Sequence, residues 1–182
     1  MKQASQQSQQ QDNPQKQKIL FDTNIFSDFS DKNLIIPLSL YLIDLINRGF
    51  NFALSDITLY ELLRGLSIEK EEKMLNLISS YFRYYVTSEV LVASAQLDNL
   101  MKMENINVGG VDHGDKIIGA TAILTGSLIL TADVRGFPWP YFHEVEYNPL
   151  YFQDHNKKTK CHMVGLLRPD FELIKKRFYE RP

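Results

Sequence analysis

Four carboxylates in this 182-residue chain stand where an apolar run stops or a helical pattern starts. Asp22 closes the run Lys18-Ile-Leu-Phe21 and is followed by Thr23 and Asn24. Glu61 lies within Ile57-Thr-Leu-Tyr-Glu-Leu-Leu-Arg-Gly65. Asp115 opens Asp115-Lys-Ile-Ile-Gly-Ala-Thr-Ala122, and Asp133 ends Leu128-Ile-Leu-Thr-Ala-Asp133. Apolar neighbours anchor each backbone in a core, so the charges are carried on rigid elements. Brought to one place they cannot stay bare, because two like charges about 4 Å apart repel by roughly 4 kcal/mol at an effective dielectric of about 20. Such a cluster takes up protons or binds cations. Carboxylate oxygens alone favour Mg2+ or Mn2+, ions that activate water and brace phosphates. The chemistry indicated is metal-dependent phosphodiester cleavage.

Convergence depends on the elements that carry these acids. From Gln17 onward, strand and helix patterns alternate. Lys18 to Phe21 reads as a buried strand ending at Asp22. Ser30 or Asp31 caps a helix running to about Arg48, with Leu34, Ile35, Leu38, Leu42, Leu45 and Ile46 inward, and Gly49 ends it. Phe50 to Ser55 is a second strand, and Asp56 starts the helix that carries Glu61 and Arg64. A further helix spans about Lys70 to Phe82, Tyr84 to Val86 forms a third strand, and Ser88 caps a helix to about Met103. Gly109 and Gly110 break the chain before the Asp115 helix, which Gly126 terminates. Leu128 to Leu130 makes a fourth strand and His143 to Glu146 a weaker fifth. This succession predicts an α/β fold with three layers, α/β/α, around a twisted, mostly parallel sheet of about five strands. In such sheets, function sits at the carboxyl ends of the strands. Asp22 and Asp133 lie just past such ends. Glu61 follows the second strand, and Asp115 is in the first turn of the helix preceding the fourth.

A hydrophobic fraction of 44% with 12% aromatic residues is that of a globular chain able to bury a core. Residues 1–17, rich in Gln, are expected to form a disordered tail. Residues 18–147 form the predicted domain and 148–182 a C-terminal extension. Within that extension, Phe171, Ile174 and Phe178 have the spacing of a docked amphipathic helix. The single cysteine, Cys161, excludes an internal disulfide and suits a reducing compartment. No apolar run approaches the roughly 20 residues that span a bilayer, and no secretory stretch opens the chain. The expectation is a cytoplasmic protein with no membrane partner. Net charge is −2. With four of the 22 acidic residues set aside under a cation, 18 remain against 20 basic ones, a surface permissive for RNA.

Taken in order, Leu20-Phe-Asp-Thr-Asn24, Leu59-Tyr-Glu-Leu62, Asp115-Lys-Ile-Ile-Gly-Ala-Thr-Ala122 and Leu130-Thr-Ala-Asp133 resemble the PIN-domain ribonucleases. The likeness is greatest to the bacterial type that acts as the toxin of a toxin–antitoxin pair, and it spans Lys18 to Phe142. The resemblance implies that Asp22, Glu61, Asp115 and Asp133 form the acidic, metal-holding site. Thr131 then supports the last acid through its hydroxyl, and Asn24 is a polar neighbour of the first. It implies Mg2+- or Mn2+-dependent hydrolysis of RNA, single-stranded or structured, by metal-activated water, leaving a 5′-phosphate and a 3′-hydroxyl. Asp22 is the expected central ligand. Asp115 and Asp133 complete its site, while Glu61 helps to hold a second ion or its water shell. A proteinaceous antitoxin and a homodimer are the partners the resemblance implies. Two features depart from the family pattern: the chain beyond Asn148, and the stiff aromatic stretch Phe137-Pro-Trp-Pro140.

Plainer readings compete at several positions. Asp22 and Asp133 have good turn-capping chemistry, and Glu61 has Arg64 and Arg48 as candidate ion-pair partners. Asp112 rivals Asp115 as the helix N-cap and is kept as a supporting residue. Arg64, Lys116 and Arg135, close in sequence to the acids, are candidates to grip RNA phosphates. Trp139, Tyr141 and Phe142 could stack on bases, although the interleaved prolines favour a packed loop. His155, Cys161 and His162 fit no closed zinc pattern. Two other functions remain open: a PIN-like protein that binds nucleic acid or a partner with little catalysis, and an aspartyl phosphatase using Asp22. The second lacks the general acid expected two residues on, where Asn24 stands.

Overall fold

The computed structural model describes residues 17–106 and 110–179. The N-terminal segment to residue 16 and Gly109 of the expected chain break lie outside them. In chain order the elements are β1 (Lys18–Phe21), α1 (Thr23–Ser30), α2 (Ile35–Asn47), β2 (Asn51–Ser55), α3 (Asp56–Leu63), α4 (Ile68–Ile78) and β3 (Phe82–Tyr84). They continue with α5 (Ser88–Met103), α6 (His113–Thr125), β4 (Leu128–Thr131), a short 3-10 turn at Val134–Gly136, β5 (Phe142–Gln153), β6 (Thr159–Pro169) and α7 (Phe171–Tyr179).

The strands form one sheet in the order β3-β2-β1-β4-β6-β5. β1 pairs parallel with β2 and with β4, and β2 with β3. The β5–β6 hairpin adds to the β4 edge in antiparallel fashion. Ile19, Leu20, Phe21, Leu128, Ile129 and Leu130 are all completely buried, as central strands covered on both faces must be. Alternate residues along each strand feed different cores. Ile19, Phe21, Leu128 and Leu130 join α1, α2 and α4 on one face, with Ile25, Leu38, Leu45 and Ile78. Leu20 and Ile129 join α5, α6 and α7 on the other, with Leu97, Ile118, Leu173 and Ile174. The α/β/α layering expected from the sequence is what the chain adopts.

Several boundaries differ from the sequence reading, for local reasons. The first helix starts immediately after β1, since Asp22 itself caps α1 by accepting from the Thr23 amide. The helix expected from Ser30 or Asp31 is α2, which starts later, at Ile35, and α1 precedes it as a helix the sequence reading did not assign. α4 stops at Ile78, which leaves Phe82 free to enter β3. The sheet has six strands rather than about five. β5 runs straight through the 147/148 boundary, and β6 inserts between β4 and β5. The expected extension thus supplies the second half of β5 and all of β6 before it reaches α7. No helix among the described residues is long and apolar enough to cross a membrane.

Candidate active site

The carboxyl ends of β1 and β4 lie side by side, in register at Phe21↔Leu130, and this juxtaposition builds the site. Asp22 follows β1, is 5% exposed, and its amide donates to the Leu130 carbonyl across the strand pair at 3.0 Å. Its carboxylate is gripped by short-range donors: the Thr23 amide to Oδ1 at 2.6 Å, and the Asn24 side-chain amide and Thr131 hydroxyl to Oδ2 at 2.5 and 2.6 Å. Burial raises the Asp22 pKa, with the Glu61 charge adding to it, while the bonds from Thr131, Thr23 and Asn24 pull the other way.

Thr131 ties the first acid to the last. Its oxygen donates to Asp22 and accepts from the Asp133 amide at 2.9 Å. Asn24 works alongside it, accepting from the Ala132 amide at 2.9 Å while donating to Asp22. Both supporting positions therefore fix the strand ends against each other. Thr23, assigned no role from the sequence, donates its hydroxyl to Glu61 and so links α1 to α3.

Asp115 stands in the first turn of α6. Asp112 is the N-cap, accepting from the Gly114 amide at 3.1 Å, and Asp115 returns the favour by accepting from the Asp112 amide at 3.2 Å, which completes a capping box. The two rivals for the cap are thus parts of one motif. Burial, then the facing Asp22 charge, pushes the Asp115 carboxyl up to about 7. Asp133 is treated differently: Arg135 grips both of its oxygens at 2.8 Å and holds its pKa below the usual carboxylate range.

These parts line one hollow of about 460 Å3, walled by Asp22, Thr23, Asn24, Glu61, Arg64, Gly110, Asp112, Asp115 and Asp133. All four expected acids are brought together, with Arg64 among them. Lys116 is not. One position beyond Asp115 on the helix it turns to α5, where it is 8% exposed and pairs with Asp98 at 2.7 Å. Of the aromatic stretch, Tyr141 and Phe142 are buried in the core and only Trp139 is exposed. His162 bonds Asp28 and His155 bonds Asn156, so neither joins Cys161 in a metal site.

Two glycines complete the walls. A Cβ on Gly114 would collide with the Glu61 carboxylate, and one on Gly136 would stand 2.5 Å from Asp115 Oδ2. The sequence flagged neither, since a glycine that makes room looks the same as one that makes a turn.

The raised Asp115 pKa has a measurable consequence. Between an unfolded value near 3.8 and a folded value of about 7, the native state holds a proton that the unfolded chain has released. This contribution to stability is complete at low pH and lost as pH rises through about 7. Without divalent cations the melting temperature is expected to fall between about pH 5 and pH 8, and Asp115→Asn should flatten that slope. A cation-free melting temperature that rises over the same interval, and does so equally in the variant, contradicts the assigned proximity of Asp115 and Asp22.

The PIN-domain sequence profile matches residues 19–138. Ribonuclease VapC1 of Methanocaldococcus jannaschii is 26% identical over 121 residues, 66% of this chain and 79% of its own. Ribonuclease VapC19 of Mycobacterium tuberculosis is 33% identical over 98 residues, 53% of this chain and 75% of its own. Among solved structures, FitAcB from Neisseria gonorrhoeae superposes with a TM-score of 0.53 at 24% identity, covering 65% of this chain and 90% of that one. A toxin–antitoxin complex from Klebsiella pneumoniae gives 0.52 at 24% identity, covering 67% and 92%.

Proposed function

The chain belongs to the PIN-domain family, and on that premise we propose that it is a divalent-cation-dependent endoribonuclease, toxin-like in type, that cleaves unpaired RNA. The observation carrying this reading is the assembly of Asp22, Glu61, Asp115 and Asp133 from four separate elements around one hollow. A buried Asp22 that faces the half-buried Glu61 and Asp115, with Asp115 pushed up to about 7, suits a hard cation that takes oxygen donors. Among the described residues, no three acidic, His or Cys side chains already form a ready-made cation cluster. Each is turned to another donor: Glu61 to Thr23, Asp115 to the Asp112 amide, Asp133 to Arg135.

Asp22, Asp115 and Asp133 are the residues to hold Mg2+ or Mn2+, with Glu61 beside them. A bound cation supplies charge neutralisation and a lower pKa for water. The chain's own contribution is positional. Thr131 and Asn24 keep Asp22 in one orientation and hold the β4 end against it. Arg64, at the wall of the hollow, is placed to meet a phosphate. Arg135 occupies Asp133 until substrate phosphate offers it a better partner, which frees that carboxylate. Arg135→Ala is expected to tighten Mn2+ binding roughly two- to fivefold, the range for an exposed pair, and to weaken RNA binding. Calorimetry with Mn2+ and a titration with RNA measure the two effects; unchanged Mn2+ affinity removes the gating role.

The Asp133–Arg135 pair also supports a second reading, a PIN fold used for binding alone. Calorimetry distinguishes the two: no Mn2+ heat at any pH, with intact RNA affinity, favours binding without catalysis. Sequencing RNA 5′ ends after brief expression tests the nuclease reading directly, new cleavage sites being the expected result. The toxin-like type carries two further proposals, a protein antitoxin seated over the acidic hollow and a homodimer. The superposed Klebsiella complex supports the first.

A further inference from the structure

The β5–β6 hairpin lies beyond the 19–138 span of the PIN match, and it does not end where the rest of the sheet does. β6 pairs with β4 as far as Thr131↔Gly165. Six further hairpin pairs, from Asn148↔Val164 to Gln153↔Thr159, continue past that point. At about 3.4 Å per residue they project roughly 20 Å beyond the strand ends that carry the acids.

The two faces of this projection differ. Leu150 and Val164 point into the first core, and His162 bonds Asp28 of α1 at 2.8 Å, so that face is covered. Alternation puts Tyr147, Tyr151, Cys161, Met163 and Gly165 on the other. That is also the face of Thr131, whose hydroxyl holds Asp22. Here Tyr151 is 64% exposed, Met163 44% and Tyr147 39%. The face is continuous with the acidic rim: the Val134 methyl and the Tyr147 ring meet over Gly165, where a Cβ would lie 2.8 and 3.1 Å from them. Val134 is the residue between Asp133 and Arg135.

We propose that this hairpin face is a stacking platform for unpaired RNA, receiving bases next to the phosphodiester held at the acidic rim. Three observations select a single strand as its occupant. Tyr147 and Tyr151, four apart on the same strand and face with Pro149 between them, offer flat rings about 13 Å apart, open to any base. The hairpin turn carries Lys157 and Lys158, while its single acid, Asp154, pairs with Lys160 at 4.0 Å, which leaves a positive charge suited to a phosphate backbone. Gly165 leaves room for Val134, so the surface meets the acidic hollow without a ridge. The inference rests on the nuclease reading for its direction along the strand, not for the platform itself.

The test is fluorescence anisotropy with an unpaired RNA of about 12 nucleotides in EDTA, which separates binding from cleavage. Tyr151→Ala is expected to weaken binding about tenfold, and Tyr151→Trp to keep it. Lys157→Gln with Lys158→Gln should lower the salt dependence by roughly one to two counterions while Tyr151→Ala leaves it as it is. Equal binding by wild type and Tyr151→Ala overturns the platform, whether or not the wild type cuts the same RNA in Mn2+. Loss of affinity in Tyr151→Ala with no cleavage by the wild type keeps the platform and removes the nuclease. Tyr151→Ala that turns a dimer into a monomer without touching RNA affinity assigns the face to a second copy of the chain, and overturns the proposal.

Discussion

Asp22→Asn is expected to reduce RNA cleavage by at least about 100-fold, the effect of losing one well-placed electrostatic group, equivalent to about 2.7 kcal/mol. Asp22 is the most constrained of the four acids. It is nearly fully buried, accepts from three donors and sits on the strand end that meets β4. Asparagine keeps its size and the bond from the Thr23 amide. It also places an N–H opposite Thr131 and Asn24, which both donate there. Removal of a buried charge facing Glu61 and Asp115 offsets that mismatch, so the melting temperature should stay within about 5 °C of wild type. Activity and stability are therefore expected to separate. Cleavage at the wild-type rate with added Mg2+ or Mn2+ would remove Asp22 from the site, and a large drop in melting temperature would show that the substitution reports on folding instead.

The acids could be found in the sequence because each borders an apolar run with a definite period. Ile19 to Phe21 and Leu128 to Leu130 are strands buried on both faces, and that burial makes a charge at their ends conspicuous. The β5–β6 hairpin gave no such signal. One face of its outer half packs on α1 and α2 and the other is open, so Tyr147, Tyr151 and Met163 break the polar half of the alternation. Pro149 and the irregularity between Glu144 and Glu146 obscure the register further. Lys116 misled for a geometric reason. A helix turns about 100° per residue, so adjacency to Asp115 in sequence placed it on a different face, against Asp98. Thr23 was given no role, since its bond to Glu61 spans 38 positions.

Gly136→Ala is expected to lower cleavage about 100-fold while leaving the protein folded, because displacement of a reacting group by about 1 Å suffices for such a loss. A methyl at this position would lie 2.5 Å from Asp115 Oδ2 and 2.7 Å from its Cγ. Its neighbour is a side-chain carboxylate rather than backbone, so Asp115 yields. Rotating away breaks its bond from the Asp112 amide and withdraws it from Asp22, which lowers its pKa towards the ordinary value. Relief of that repulsion compensates for the lost bond, and the melting temperature at neutral pH should change little. Gly114→Ala acts likewise on Glu61. Gly119→Ala provides the contrast: there a methyl meets the buried Phe142 ring at 2.8 Å, away from the acids. It should cost about 1–3 kcal/mol of stability, as overpacking does, with the acidic hollow intact. Thermal melts, Mn2+ titrations and cleavage rates on the three variants separate the cases. If Gly136→Ala cuts RNA as fast as wild type, the position of Asp115 beside Asp22 is not what the chemistry requires.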